Sequence, residues 1–361
     1  MRRDKGNKVR VGVIGAGWWA TFNHMPQLAS RNDVELSGVC RLGKESLEKI
    51  QRQFEIPFAT ENYRELLEQD LDAVIISSPH QLHHEHAAAA LRRGLHVLCE
   101  KPMTLDAAQA WELVRLAEEK QRTLLVPYGW NYKPFSQEAK RLMDDGAVGE
   151  VEYALCHMAS PTKEFFGAGG AVEVMSQWQP TLAAPEPSTW QVAENGGGYG
   201  HGQVTHSSAL LLWLTGLRAA EVSARMTSPG SAVDMYDAAS VRFENGAIGV
   251  VSGAATLPAN DKFQVDLRVF GTEGVLMLDT ERERMVVRRH DGKHHEAVIE
   301  SGTGAYDCVA PPHRFIEVIK GEARNDSPGE LGARAVELIS AMFESSRTGG
   351  GPVRVHRHER R

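Results

Sequence analysis

Val9-Arg10-Val11-Gly12-Val13-Ile14-Gly15-Ala16-Gly17-Trp18-Trp19-Ala20 is the stretch that decides the fold. VRVGVI is a short apolar run of the kind that makes a strand buried on both faces. The residues after it read G-x-G-x-x-A. Gly15 allows a tight turn, Gly17 lets the backbone approach a pyrophosphate, and Ala20 is small enough for helix and strand to pack closely. A helix from about Trp18 to Ser30 then offers free N–H groups and a partial positive charge to phosphate oxygens. Strand, glycine turn and helix in that order predict a nucleotide site, with Gly15, Gly17, Trp18, Trp19 and Ala20 around it.

Working outward, strand and helix patterns alternate. VELSGVC (Val34–Cys40) is a second strand, and Lys44–Gln53 is an amphipathic helix with Leu47 and Ile50 on its apolar side. ENYRELLEQD predicts a short helix and Asp72–Ser78 a strong strand. HHEHAAAALRRG has the alanine density of a good helix, closed by Gly94 at a C-cap position. HVLCE, Asp106–Lys120 and Thr123–Val126 complete the series as strand, helix and strand. Strands separated by helices need crossover connections, hence a parallel, doubly wound sheet. This domain is expected to end near Tyr128, giving 1–128.

The remainder, 129–350, reads differently. Glu150–Met158, Ala220–Met226, Ala238–Phe243, Ala247–Gly253, Gln264–Phe270, Gly274–Asp279 and Arg284–Arg289 are strand candidates, with hairpin signals at Glu244-Asn245-Gly246 and Asp291-Gly292. Strands without intervening helices imply an α+β domain with a large, mostly antiparallel open sheet. Helices are expected near Gln203–Leu214 and Gly329–Ser345. Pro161–Gly198 has little periodicity, and a loop of that length inside a domain is usually a functional lid or an insertion; Trp178 and Trp190 are its lid aromatics. Residues 351–361 form a basic tail.

Composition sets the outer limits. The 361 residues are 42% hydrophobic and 24% charged, the proportions of a globular chain. Forty basic against forty-seven acidic residues leave a net charge of −7, which argues against a nucleic-acid partner. No apolar run is long enough to span a membrane, and no signal-peptide core precedes the first strand. The four cysteines form no CxxC pair, so neither a disulfide framework nor a zinc ribbon is expected. The expectation is a cytoplasmic two-domain enzyme or binding protein.

In NAD-binding turns of this type a carboxylate about 20 residues on grips the ribose 2′-hydroxyl. Counting from Ala20, that place is Cys40-Arg41-Leu42, and no acid stands there. Arg41 does, with Lys44 close behind, and a guanidinium suits a 2′-phosphate. NADP(H) is therefore expected ahead of NAD(H).

Ser78-Pro79-His80-Gln81-Leu82-His83 followed by HEHAAAALRRGLHVLCEKPM resembles the Gfo/Idh/MocA family of sugar and cyclitol oxidoreductases. A weaker family pattern recurs at Gly196-Gly197-Gly198, His206 and Leu214-Thr215-Gly216. The resemblance implies an N-terminal Rossmann domain and a C-terminal domain whose open sheet often serves as a subunit interface, hence a homo-oligomer, dimer or tetramer. It implies that Ser78, Pro79, His83, Glu100 and Lys101 line the nicotinamide side of the cleft, and that Pro102 forms an unusual peptide linkage or turn. Lys101 lies at the carboxyl edge of the sheet, where its ammonium can hold a substrate oxygen and stabilise charge during hydride transfer. His206 is the expected general acid or base, because imidazole titrates near working pH. The family usually carries aspartate four residues before that histidine; here Gly202 stands there, and Ala209 replaces a second frequent aspartate. Gln203 and His201 are candidate substrate contacts, as are Asn131 and Tyr132, which leave the last parallel strand beside Trp130 and Lys133. His80, His83, His84 and His86 crowd one helix start, but no acid or cysteine set completes a metal site.

The leading reading is thus an NAD(P)-dependent oxidoreductase acting on a secondary alcohol or ketone carbon of a small-molecule sugar, glycoside or cyclitol. Two others stand beside it: a glycoside hydrolase or lyase using nucleotide only transiently, and a non-catalytic nucleotide or sugar sensor.

Overall fold

The computed structural model describes residues 8–167, 182–259 and 261–356. Strands β1 (Val9–Ile14), β2 (Val34–Cys40), β3 (Phe58–Thr60), β4 (Ala73–Ile76), β5 (His96–Cys99) and β6 (Leu124–Leu125) alternate with helices. The helices are α1 (Met25–Ala29), α2 (Lys44–Gln53), α3 (Tyr63–Leu67), α4 (His83–Arg92) and α5 (Ala107–Lys120). The six strands form one parallel sheet in the order β3-β2-β1-β4-β5-β6. Ala73, Val74, Ile75 and Ile76 are all buried, as a strand covered on both faces requires. Local chemistry sets the helix ends: Asp106 caps α5 through the Gln109 N–H at 2.9 Å, and Gly94 ends α4 with φ +76°. The order reverses between β1 and β4, the switch point where such sheets bind ligands beyond their carboxyl ends.

The second sheet holds, among the described residues, β7 (Val151–Ala159), β8 (Ala219–Thr227), β9 (Tyr236–Phe243), β10 (Ile248–Ala254), β11 (Gln264–Gly271), β12 (Gly274–Asp279), β13 (Arg284–Arg289), β14 (His295–Glu296) and β15 (Val353–Arg354). Its order is β14-β13-β12-β11-β7-β10-β9-β8-β15. The expected strands lie within two residues of where alternation puts them, and both hairpin glycines, Gly246 and Gly292, have positive φ. One pairing departs from the antiparallel pattern: β10 runs parallel to β7, with Ile248 opposite Tyr153. Helices α6 (Pro134–Asp144), α7 (Lys163–Phe166), α8 (Pro187–Gln191), α9 (Thr205–Thr215), α10 (Ala310–Ile319) and α11 (Gly329–Arg347) complete the chain. Both α6 and α10 were not anticipated; each carries proline in its first turn, where proline is favoured. Within the segment expected to lack periodicity, α7 and α8 are short helices. Trp178 and the last residues of the basic tail lie outside the described residues.

The two halves are joined by the end of the chain. Phe315 and Ile316 of α10 are buried in the apolar core that contains Val11, Val13 and Leu98. Helix α11 reaches α5, where Trp111 Nε1 donates to Glu337 Oε1 at 2.6 Å. Among the described residues no helix is long and apolar enough to cross a membrane. The far face of the nine-stranded sheet carries Tyr236, Ile248 and Phe270, which are 39%, 57% and 38% exposed.

Glycine 253 shows how the sheet sets the site. A Cβ there would lie 2.4 Å from Val204 Cγ2 and 2.8 Å from the Tyr199 ring, so only glycine lets the start of α9 settle on β10. Gly253→Ala is expected to cost about 1–3 kcal/mol by overpacking, read as a lower urea midpoint with an unchanged slope.

Candidate active site

Strand β1 delivers Gly15 at φ +81°, and a Cβ on it would sit 2.3 Å from the Ser78 backbone nitrogen beyond β4. Only glycine fits between the two strand ends. Gly17 differs: the nearest protein atom to a Cβ there is Gly15 O at 3.8 Å, so the protein itself would accept a side chain. What glycine leaves free at that position is a cradle open to the cavity, and the residues present therefore fit a pyrophosphate. The helix that follows runs from Trp18 through α1, with a wide π-turn at Ala20–His24 in which the Met25 N–H reaches Ala20 O. Ala20 is wholly buried where helix meets sheet.

A cavity of about 540 Å³ extends from this turn to the second domain. Of the expected nucleotide contacts, Gly15, Gly17, Trp18, Trp19, Arg41, Ser78, Pro79, His83, Glu100 and Lys101 line it. Lys44, at the start of α2, does not. Arg41 Nε and Nη1 donate to Leu42 O at 3.1 Å and Ala16 O at 3.2 Å, which lays the guanidinium along the rim. Sequence counting found no acid here, but Glu61 arrives from the end of β3, lines the same rim and accepts the Gly43 N–H at 2.7 Å. Its signal was a carboxylate just past a short strand at the sheet's carboxyl edge. The two turns beside the cavity are held by His83, whose ring nitrogens face Ser78 O and Pro102 O at 2.8 Å each. The Lys101–Pro102 peptide bond is cis.

Lys101 is 7% exposed, and its Nζ donates to Gly202 O at 2.9 Å. It also lies 5.5 Å above the Trp190 ring. Burial lowers its pKa, and the Glu100 carboxylate partly restores it. Glu100 is itself held: its Oε1 accepts from His24 Nε2 at 2.6 Å and its Oε2 from the Lys101 N–H at 3.0 Å. His206 is buried on the same cavity, at the end of a second π-turn, Gly200–Val204, where the Thr205 N–H reaches Gly200 O. The rings of Tyr128, Trp130 and Tyr306 stand edge-on to it at 6.0, 5.4 and 5.1 Å. Burial first, then the Lys101 charge, push the His206 imidazole well below its ordinary pKa. Its Nδ1 is closed off without a partner, which leaves Nε2 as the nitrogen able to exchange a proton.

The glycine at the usual aspartate position has a structural cause. A Cβ on Gly202 would meet the Phe166 ring at 2.8 Å, so no carboxylate fits, and the backbone carbonyl receives Lys101 instead. Gln203 lines the cavity, whereas His201, Asn131 and Tyr132 do not. His201 stacks on Phe343 at 4.4 Å, and burial takes its pKa down to about 4. Asn131 Nδ2 donates to Asp326 O and Ser327 Oγ, both at 3.3 Å. The Tyr132 ring lies 5.8 Å from the Arg314 guanidinium. Residues Gly129–Tyr132 form a 3-10 turn, in which successive side chains point about 120° apart, and it is Trp130 that reaches the cavity. Glu281, which gave no sequence signal, supports that wall: its Oε1 accepts from Trp130 Nε1 at 3.1 Å and the Tyr306 N–H at 2.7 Å. Burial pushes its pKa up to about 7.

The histidines at the start of α4 do not converge on one point. His80 bonds Gly196 O, His84 bonds Glu112 and His86 bonds Ser78 Oγ. Among the described residues, His24, Glu100 and Cys308 do bring ligating atoms within 4.8 Å of one another, in a cluster that already contains the His24–Glu100 bond.

Residues 9–128 match the family described as "Oxidoreductase family, NAD-binding Rossmann fold", and residues 136–277 match the GFO/IDH/MocA C-terminal domain. The chain is 24% identical to D-xylose 1-dehydrogenase [NADP(+)] of Haloarcula marismortui over 357 residues, covering 95% of this chain and 92% of that protein. It is 29% identical to D-glucoside 3-dehydrogenase of Escherichia coli over 144 residues, 40% of this chain and 41% of the relative. Among solved structures, levoglucosan dehydrogenase in complex with NADH and levoglucosan superposes with a TM-score of 0.76 at 19% identity, covering 97% of this chain and 100% of the other.

The two glycines of the first turn are expected to fail differently. Gly17→Ala should leave the urea midpoint unchanged while weakening nucleotide binding about tenfold, roughly 1.4 kcal/mol, by titration calorimetry. An unchanged affinity would show that no phosphate approaches Gly17.

Proposed function

Because the chain belongs to the Gfo/Idh/MocA oxidoreductase family, we propose that it transfers a hydride between NADP(H) and a secondary alcohol or ketone carbon of a sugar, glycoside or cyclitol. The observation that carries this reading is Lys101 and His206, from different domains, buried on one cavity that begins at the glycine turn. Bound there, the nicotinamide supplies the hydride acceptor or donor. Lys101 presents its ammonium to the reacting oxygen and stabilises charge developing on it. His206 Nε2 takes the hydroxyl proton during oxidation and returns it during reduction. The aromatic walls exclude water, and Gln203 binds a neighbouring hydroxyl. The unit that binds nucleotide is 1–128 and the substrate unit begins at 129.

Arg41 supports NADP(H) as the preferred nucleotide, because charge-assisted hydrogen bonds to a 2′-phosphate are the stronger kind. The exposed Ile248 and Phe270, with Tyr153 5.6 Å from Phe270 ring to ring, support a homo-oligomer formed through the open sheet face. Four buried, unpaired thiols are in keeping with a cytoplasmic enzyme.

A panel of sugars, glycosides and cyclitols assayed for nucleotide reduction tests the reaction; no turnover with any of them overturns it. A lowered histidine pKa means that the proton leaves at lower pH, so His206 remains a base as the medium turns acidic. The acid limb of kcat/KM for oxidation is therefore expected below about pH 6.5, the ordinary histidine value. His206→Ala should remove that limb and lower kcat by about 10²–10⁴.

Nucleotide choice is checked separately. Arg41→Ala should narrow the preference for NADP(H) over NAD(H) about tenfold, roughly 1.4 kcal/mol. Equal affinities in the unaltered enzyme would replace NADP(H) by NAD(H) in the proposal.

A further inference from the structure

Between Lys101 and His206 the cavity wall is a continuous belt of aromatic rings. It starts at Trp190 beneath the Lys101 ammonium and passes to Phe165 at 4.6 Å, Trp18 at 5.8 Å and Trp19 at 5.3 Å. From Trp19 it continues to Tyr306 at 6.3 Å and Trp130 at 4.8 Å, and ends on the His206 ring. All six of these rings line the cavity.

A free sugar or a cyclitol presents hydroxyls around its whole rim, and each must find a polar partner when water is removed. Among the described residues, the aromatic belt itself meets little of that demand. Gly202 supplies no carboxylate, Phe166 fills the space one would occupy, and the only carbonyl at that position is already bonded to Lys101. A pyranose has two faces and covers one or two rings by stacking; the belt offers more apolar surface than one sugar ring can use. Flat apolar groups gain most from such a wall, through buried area and through offset or edge-on ring contacts. Among the described residues, Lys101, Gln203 and His206 supply polar groups for one hydroxyl-bearing ring, and Glu186 and Thr189 add polar groups near Trp190 in the chain.

Resting on the sugar oxidoreductase reading, we infer that the substrate is a glycoside with a flat apolar aglycone, the sugar ring held at Lys101 and His206 and the aglycone against Trp190 and Phe165. The belt is an aglycone subsite. It selects aryl glycosides over free sugars and over glycosides of small alcohols.

The test compares matched phenyl and methyl glycosides of glucose, galactose and xylose, with NADP+ and with NAD+, together with quenching of tryptophan fluorescence by each compound. The phenyl glycoside should show a kcat/KM at least tenfold above its methyl partner, mostly through KM, and should quench fluorescence at lower concentration. Phe165→Leu, which keeps bulk and removes the ring, should reduce the phenyl-to-methyl ratio at least threefold. Turnover with equal kcat/KM for phenyl and methyl partners overturns the aglycone subsite and leaves the oxidoreductase reading standing. Where none of these compounds is turned over, the oxidoreductase reading is decided by the wider panel of sugars and cyclitols and the subsite by binding: phenyl-selective quenching supports it, and equal or absent quenching overturns it.

Discussion

An ammonium group buried as deeply as that of Lys101 must be compensated where it lies, because an unpaired charge out of water costs several kcal/mol. Three groups do this. Gly202 O accepts its hydrogen bond, the Trp190 face lies near it, and the neighbouring Glu100 carboxylate supplies the opposite charge. Each partner is itself fixed by something else. Glu100 is held by His24 from the first helix, Gly202 lies in the wide turn that leads into α9, and that turn rests on Gly253 of β10. One cation from the parallel sheet thereby fastens the first residues of a helix belonging to the other sheet. His206 is kept neutral first by its own burial and then by the same charge, since a second positive group close to Lys101 is disfavoured.

Five strands of the parallel sheet were legible because each is a local signal, a short run of Val, Ile or Leu bounded by a turn or a cap; β3, Phe-Ala-Thr, carries no such run and was not anticipated. The second sheet was legible through alternation, and β9 keeps that alternation of exposed and buried residues without a break. The parallel pairing of β10 with β7 was not legible, since the partners, such as Tyr153 and Ile248, are 95 residues apart and nothing local distinguishes the direction. In the site, Gly15, Gly17, Lys101 and His206 could be read because they occupy fixed places at strand ends or helix starts. Phe165, Tyr306 and Glu281 come from stretches without a motif, and tertiary packing alone brings them to the cavity or behind it. Asn131, Tyr132 and His201 failed in the opposite sense. They lie within two residues of Trp130 or Gln203, which line the cavity, but Asn131 hydrogen-bonds near the start of α11 and His201 stacks on α11. Adjacency in the chain said nothing about direction.

The missing aspartate illustrates how a departure from a family pattern becomes intelligible only in three dimensions. In sequence it was an absence. In the structure the space is filled, by Phe166 over Gly202, with Trp190 close by. Removing a carboxylate and adding rings changes the site in one direction: fewer hydroxyl partners and more apolar wall.

The π-turns at Ala20–His24 and Gly200–Val204 bear on how such chains diverge. Each bonds five residues back where a regular α-helix bonds four, so each is equivalent to one inserted residue absorbed without breaking the helix. Because the wide turn takes up its extra residue locally, loss of a single codon in either turn would restore a regular helix while leaving the segments on both sides near their present places. The same deletion in a regular helix would rotate everything beyond it by about 100°. Gapped alignment at these two places is therefore a matter of geometry, and a relative one residue shorter there can keep the same flanking contacts.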